Sequence, residues 1–287
     1  MDVAVGLPNA VEGTTGEQLV EFAREAEERG FPSLGTLDRL VYPSYDPFVA
    51  LSAAAAVTDR IRLATTIMIL PYRLNAALVA KQAASLHALS GGRLVLGLAV
   101  GARDDDYEAS GLSTEGRGAT MDSMLEEMKR VWAGEKRGYA GAIGPPVDEP
   151  PQLLIGGSVD ASFARVARFG DGWIQGAVGP DQFAETAPKV REAWSAAGRD
   201  GSPRLASLAY YALGPDAERL AEEDLGHYYA WLGEEIAGQI AASAATDPET
   251  VNQYVSAFQQ AGCDELFMFA CGSDPEQATL LAEALGK

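Results

Sequence analysis

The sequence predicts an α/β fold, a TIM (β/α)8 barrel with insertions at its C-terminal mouth, and three observations carry that expectation. Eight strand-like apolar runs alternate with helix-period segments from one end of the chain to the other. The runs are apolar on both faces, as a parallel sheet covered by helices requires. No G-x-G-x-x-G follows the first run, which counts against an open doubly wound sheet built for a dinucleotide. The 287 residues exceed the roughly 250 of an ordinary barrel, so residues 1–287 read as one barrel domain carrying extra segments.

The first unit is VAVGL (3–7), a Gly-Thr-Thr-Gly turn and the helix EQLVEFAREAEERG. Leu19, Phe22, Ala23 and Ala26 fall on one helical face, and Gly30 stands where a helix-ending glycine belongs. SLGTL (33–37) then leads into DPFVALSAAAAVT, IRLATTIMIL (61–70) into NAALVAKQAASLHALS, and RLVLGLAV (93–100) into a helix around MDSMLEEMKRVWAG. QLLIGG (152–157) precedes VDASFARVARFG, GWIQG (172–176) precedes DQFAETAPKVREAWSAAG, and RLASLAYYAL (204–213) precedes a long helical stretch. DELFMFA (264–270) and PEQATLLAEALG complete the eighth unit.

Two segments exceed this rhythm. Residues 134–151 are rich in Gly and Pro, and residues 214–247 are helical with aromatics at HYYAWLG. Such insertions form lids or binding loops over a barrel mouth, or pack against a partner subunit.

Formal charge is −19, from 22 Lys and Arg against 41 Asp and Glu. That surface repels phosphate backbones and anionic lipid, which argues against nucleic-acid and membrane partners; its plain consequence is solubility. Cys263 and Cys271 bracket the last strand and read as buried reduced thiols. No signal peptide and no membrane-length apolar run is visible, so a cytoplasmic location is expected. Two scattered histidines leave a metal-dependent hydrolase short of ligands, and no metal site is expected.

Barrel chemistry sits at the C-terminal ends of strands. The fifth strand ends in Gly156, Gly157 and Ser158 just before a helix. Backbone N–H groups and a hydroxyl there suit a phosphate, although an ordinary turn with a serine cap gives the same residues. Gly97 and Gly101 leave a smooth backbone for a flat ring, and Arg103 is a partner for a phosphate or an acidic substrate. The run Asp104–Asp106 reads as a solvated loop. Tyr72, Tyr107, Tyr210, Tyr211, Tyr228, Tyr229 and Trp231 could line an aromatic pocket or belong to the core.

The stretch SLHALSGGRLVLGLAVGARDDDYEASG resembles the LSGGR-x-x-LG-x-x-x-G-x-x-x-x-x-[YF]-E-x-x-G signature of the bacterial luciferase-like monooxygenase family. IGGSVDASFARVARFGDGWI is similar to that family's strand-five glycine motif, and AEERGF, ATTIMILPYR and TDPETVNQYVSAFQQAGCDELFM fit in order. The resemblance covers nearly the whole chain.

It implies a flavin-dependent oxidoreductase that binds FMN or coenzyme F-420 at the barrel mouth, with a small organic substrate. Reduced FMN with oxygen would make a monooxygenase fed by a separate flavin reductase; coenzyme F-420 would serve hydride transfer, recharged by a deazaflavin-reducing enzyme. Ring contacts carry over to Thr65, Thr66, Ile67 and Gly101, and secondarily to Asp38, with a non-prolyl cis peptide at Thr66-Ile67; phosphate contacts carry over to Gly156, Gly157, Ser158 and Arg103. A homodimer through helices near residues 46–58 and 75–90 is implied as well.

One departure matters. Many members carry His directly after the second strand, where this chain has Asp38-Arg39. Proton transfer then falls to Asp38, Tyr107, Tyr210 or His227; Arg39 would hold an anionic substrate or a carboxylate-rich cofactor tail, Tyr210 is a second substrate contact, and His87 is a surface or packed helical residue. The missing imidazole also motivates an alternative, a non-catalytic flavin-binding barrel.

Overall fold

A computed structural model describes residues 1–287. Eight parallel strands close into a barrel in sequence order: β1 (Asp2–Gly6), β2 (Ser33–Thr36), β3 (Arg62–Ile69), β4 (Leu94–Ala99), β5 (Gln152–Gly156), β6 (Gly172–Ile174), β7 (Arg204–Tyr211) and β8 (Glu265–Ala270). Closure is made by β1 against β8, in register from Asp2 with Glu265 to Gly6 with Phe269. All eight expected strands are present, and closure leaves none with an unpaired edge.

The helices start where local chemistry starts them. In α1 (Gly16–Glu28) the Thr15 hydroxyl accepts from the Gln18 N–H while Gln18 Oε1 accepts from the Thr15 N–H, a reciprocal cap. In α2 (Pro47–Ala55) Asp46 caps two N–H groups and Pro47 occupies the first turn. The remaining helices are α3 (Ala76–Leu89), α4 (Asp104–Ala109), α5 (Arg117–Trp132), α6 (Asp160–Phe169), α7 (Pro180–Ala196), α8 (Ala217–Tyr228), α9 (Glu234–Ala242), α10 (Pro248–Gln260) and α11 (Glu276–Ala284).

The larger apolar core lies between helices and barrel, and includes Leu19, Phe22, Ala23 and Ala26 of α1. A second core fills the barrel itself with Ala4, Ala64, Leu154, Ile174, Ala206 and Phe267. At the N-terminal end the Glu265 carboxylate is buried and held by Ser33, Arg62 and Arg204. Its charge is therefore paired, and that end of the barrel is closed. Cys263 and Cys271 are buried free thiols.

At the other end, β3 breaks its pairing with β4 between Thr65 and Met68, and the Thr66–Ile67 peptide is cis. Gly97 lies opposite that irregularity. A Cβ there would come within 2.2 Å of the Thr65 carbonyl oxygen. Gly97 is thus a close-approach residue inside the sheet rather than an open wall for a ring, because β3 bulges toward it.

The two extra segments go to different places. Residues 134–151 leave α5 and enter β5 at its N-terminal end, so they lie away from the mouth, with the Gly144 carbonyl bonded to Lys81 of α3 and Arg137 paired with Glu127 of α5. The α8–α9 segment stays at the mouth, where Ala245 pairs with Tyr210 and Ala212 and pins the insertion to the end of β7. No helix is long and apolar enough to cross a membrane.

Candidate active site

The strand ends and the α8–α9 insertion enclose a cavity of about 260 Å³ at the C-terminal mouth. Its floor is Thr66 and Ile67; one wall is Leu37, Asp38 and Arg39, another is Gly101 to Arg103 with Asp106 and Tyr107. Tyr210, Tyr228, Tyr229 and Trp231 form the aromatic side.

Thr66 is held by a bond from its hydroxyl to the Thr36 carbonyl at 3.3 Å. Thr65 does not reach the cavity: it is fully buried, and its hydroxyl donates to the Gly97 carbonyl at 2.8 Å. The cause is strand geometry, since successive side chains point to opposite faces. Gly101 lines the cavity with φ of 72°, a conformation that favours glycine.

Asp38 lines the cavity with its carboxylate already engaged. Oδ2 accepts from the Ile69 N–H at 2.8 Å, and Oδ1 accepts from Arg73 at 3.0 Å. Burial pushes its pKa up and Arg73 opposes that shift. The carboxylate is arranged to fix the end of β3, and Arg73 passes the charge on to Asp46 at 2.9 Å.

Arg39 is almost enclosed, with 7% of its side chain exposed. Its guanidinium lies over the Tyr228 ring at 4.8 Å and the Tyr42 ring at 5.4 Å, a cation–π placement against two neighbouring rings. Nε has no hydrogen-bond partner; the nearest carboxylate oxygen, Asp106 Oδ2, is 3.6 Å away. Arg103 stands across from it, paired with Asp105 and 5.2 Å from the Trp231 ring.

The expectation of a solvated Asp104–Asp106 loop is corrected here. These residues form the first turn of α4, and Asp106 is buried, accepting from the Leu40 and Val41 N–H groups at 3.1 and 2.7 Å. It ties α4 to the loop after β2. A carboxylate three residues after Arg103 was the available signal, but only the fold shows that both arginines border it.

Tyr107 lines the cavity, buried, with its hydroxyl donating to the Val100 carbonyl at 2.5 Å. Tyr210 and Tyr229 share a hydroxyl hydrogen bond of 2.7 Å. Burial holds Tyr210 well above the ordinary tyrosine range and raises Tyr229 to about 12. Both are therefore neutral hydrogen-bonding groups near pH 7 and not bases. Of the other aromatics, Tyr211 is a core residue bonded to the Gln277 carbonyl, and Tyr72 packs edge-on behind Tyr107.

His227 is not in this cavity. Its side chain is half exposed on the outer side of α8, with Nδ1 at 2.9 Å from Glu12 and 3.2 Å from the Tyr42 hydroxyl. Tyr228, one residue on, points inward, because neighbouring helical residues face different sides. His87 sits in the last turn of α3 and does not line the cavity.

Gly156, Gly157 and Ser158 do not line the cavity but adjoin its floor. A Cβ on Gly156 would sit 3.1 Å from Ile67 Cδ1. Gly157 has φ of 132°, and its carbonyl accepts from the buried Trp173 indole at 2.7 Å. The helix cap is Val159 rather than Ser158; the Ser162 hydroxyl accepts from the Val159 N–H at 3.1 Å, leaving Ser158 exposed at the start of α6. Beyond β6, the Gln175 side chain is buried with both amide atoms unpartnered.

Comparison with known proteins agrees with this architecture. The family profile described as luciferase-like monooxygenase matches residues 1–283. An uncharacterized protein of Mycobacterium tuberculosis is 34% identical over 187 residues, 62% of this chain and 66% of that protein, so the match spans just under two thirds of the relative. Among solved structures, an F-420-dependent secondary alcohol dehydrogenase in complex with an F-420-acetone adduct superposes with a TM-score of 0.83 at 21% identity, covering 99% of this chain and 98% of that one. The oxygenating constituent of 3,6-diketocamphane monooxygenase from Pseudomonas putida, in complex with FMN, gives 0.74 at 16% identity, covering 99% and 96%.

Proposed function

Since the chain belongs to the luciferase-like monooxygenase family, we propose that its barrel mouth binds FMN or coenzyme F-420 and that the protein is an oxidoreductase acting on a small organic molecule. The observation that carries this reading is the cavity itself, floored by Thr66 and Ile67 and closed by the α8–α9 aromatics. The residues present fit the group. Ile67, Ile69, Leu37 and Leu208 give an apolar bed for a flat ring, and the buried Gln175 amide has both its polar atoms without partners at the same end. At about 260 Å³ the cavity is slightly below the roughly 300 Å³ at which ligand pockets begin. It takes a ring and leaves the phosphate arm outside, toward Gly156, Gly157 and Ser158.

When bound, such a cofactor supplies hydride transfer, or oxygenation if reduced FMN meets oxygen. The chain's residues supply the rest. Thr66, Ile67 and Gly101 bed the ring, and the turn at Gly157 with the start of α6 receives the phosphate, its N–H groups and dipole favouring an anion. Trp231, Tyr228 and Tyr229 exclude water, and the Tyr210–Tyr229 hydroxyl pair donates a hydrogen bond to an oxygen at the reacting centre. Asp38 acts as a positioning residue, holding β3 through Ile69 and Arg73. A second copy of the chain would cover the exposed Leu40, Val41, Val49, Leu74 and Leu78, which lie on and beside α2 and α3.

The non-catalytic flavin-binding reading is favoured by one observation, that no imidazole lines the cavity. Anaerobic fluorescence titration with FMN and with coenzyme F-420, oxidised and reduced, tests the main proposal. Saturable binding of either, followed by turnover, supports an oxidoreductase; tight binding with no turnover across oxygen and electron-acceptor conditions supports the alternative. Binding of neither refutes both.

A further inference from the structure

The charges around the cavity pair off, but one of the pairs is not hydrogen-bonded. Four charged side chains line it: Asp38, Arg39, Arg103 and Asp106. Asp38 is matched by Arg73, and Arg103 by Asp105. That leaves Arg39 facing Asp106, whose Oδ1 is taken by two backbone N–H groups and whose Oδ2 stays 3.6 Å from Arg39 Nε, outside hydrogen-bonding range. A buried guanidinium N–H without an acceptor is a costly arrangement unless something else supplies one. Arg39 is also pre-organised, since the rings of Tyr42 and Tyr228 fix its plane.

The rest of the lining limits what that acceptor can be. Apart from the charged groups, the neutral tyrosine hydroxyls and Thr66, whose hydroxyl is already bonded to the Thr36 carbonyl, the side chains walling the cavity include Leu37, Ile67, Ile69 and Leu208 with the faces of Tyr210, Tyr228, Tyr229 and Trp231. An anion with several polar substituents would find few partners there. A flat apolar body carrying one carboxylate would satisfy both the guanidinium and the aromatic wall.

We propose that Arg39 is the substrate-anchoring residue of this site, and that the substrate class is a small apolar or aromatic carboxylate. The inference rests on the reading of the cavity as the active site, and it gives Arg39 a purpose that an imidazole at the same place would not have. A planar, permanently charged fork binds a carboxylate through two N–H groups and, unlike an imidazole, does not serve as a general acid or base near neutral pH. Proton handling is thereby moved away from this corner of the site.

The test is fluorine NMR on the intact chain with 4-fluorobenzoate and its neutral analogue 4-fluorobenzamide, alone and after saturation with FMN or coenzyme F-420. Saturable broadening by 4-fluorobenzoate, at least tenfold tighter than by the amide, is expected, and Arg39→Met should abolish that preference. Arg39→Lys, which keeps the charge without the fork, should weaken the benzoate three- to tenfold and guards against a variant that fails to fold. Equal binding of acid and amide, or an unchanged preference in a folded Arg39→Met, would overturn the inference. So would displacement of 4-fluorobenzoate by either cofactor, because Arg39 would then serve the cofactor's own anionic arm. Arg39-dependent benzoate binding in a protein that takes up neither cofactor would support the anchor while refuting the cofactor reading, so the two failures are distinguishable.

Discussion

Replacing Gly97 by alanine tests how the cavity floor is built. The added methyl would lie 2.2 Å from the Thr65 carbonyl oxygen, more than 1 Å short of the 3.4 Å of an ordinary contact. The obstructing atom is backbone, so no side chain can swing aside and β3 must move away from β4. That movement also stretches the bond from the Thr65 hydroxyl to the Gly97 carbonyl, now 2.8 Å. Overpacking a tight interior costs about 1–3 kcal/mol and a lost hydrogen bond about 1 kcal/mol, for a total near 2–4 kcal/mol. At roughly 2–4 °C of melting temperature per kcal/mol, the variant should melt roughly 4–16 °C lower. Because Thr65 precedes the floor residues Thr66 and Ile67, flavin affinity should fall at the same time. Thermal unfolding by circular dichroism and a flavin fluorescence titration measure the two effects. Gly176→Ala is the control: Gly176 lines the cavity and nothing lies within 4 Å of its would-be Cβ, so stability should not change. A Gly97→Ala protein with wild-type melting and wild-type flavin binding would refute the account of the β3 bulge.

Asp224, on α8, is raised to about 7 by burial alone. Its folded pKa lies above the unfolded one, so the native state binds the extra proton between about pH 4 and 7 and loses stability as pH rises through that window. A complete shift of this size is worth about 4 kcal/mol, and because the side chain retains some exposure we expect Asp224→Asn to gain about 1–3 kcal/mol at pH 8 and little at pH 4; urea midpoints at both pH values would show the opposite trend if the acid were paired. Tyr229→Phe leaves the Tyr210 hydroxyl buried without its 2.7 Å partner and should cost about 1–3 kcal/mol in urea unfolding, with an unchanged midpoint counting against the hydroxyl pair. Gly157→Ala brings a methyl within 2.6 Å of Ser162 Cβ at a φ of 132°; weakened FMN or F-420 binding with less effect on 4-fluorobenzoate is expected, and equal loss of both would mean a general collapse of the mouth. If a second copy covers α2, Val49→Asp, at a side chain now 64% exposed, should convert a dimer to monomer in sedimentation without altering the fold; an unchanged mass would remove that face from the interface.

Much of the barrel was legible because each unit satisfies a local rule. Leu19, Phe22, Ala23 and Ala26 share a helical face by spacing alone, and all four are buried. The strands read correctly because a parallel sheet under helices demands apolar residues in succession. The site was less legible. Asp106 looked like one of three solvated acids, yet its burial depends on backbone N–H groups more than sixty residues earlier. His227 and Tyr228 are adjacent in sequence and both touch Tyr42, yet only Tyr228 lines the cavity, and the direction of α8 across the mouth decides which one enters. Gly97 fitted a ring platform by position, whereas the bulge in the neighbouring strand gives it a different purpose.

The sequence by itself determined the order of eight βα units, the family and the list of strand ends from which a site could be drawn. Those properties follow from period, capping residues and short motifs, all of which act within a few residues. Tertiary structure decided which of the strand-end residues meet, that Asp38 is engaged by Arg73, and that Arg39 is left with an unpartnered N–H beneath the aromatic wall. Those outcomes depend on which charges and carbonyls come within about 4 Å across the barrel, where Coulomb and hydrogen-bond energies become large enough to matter.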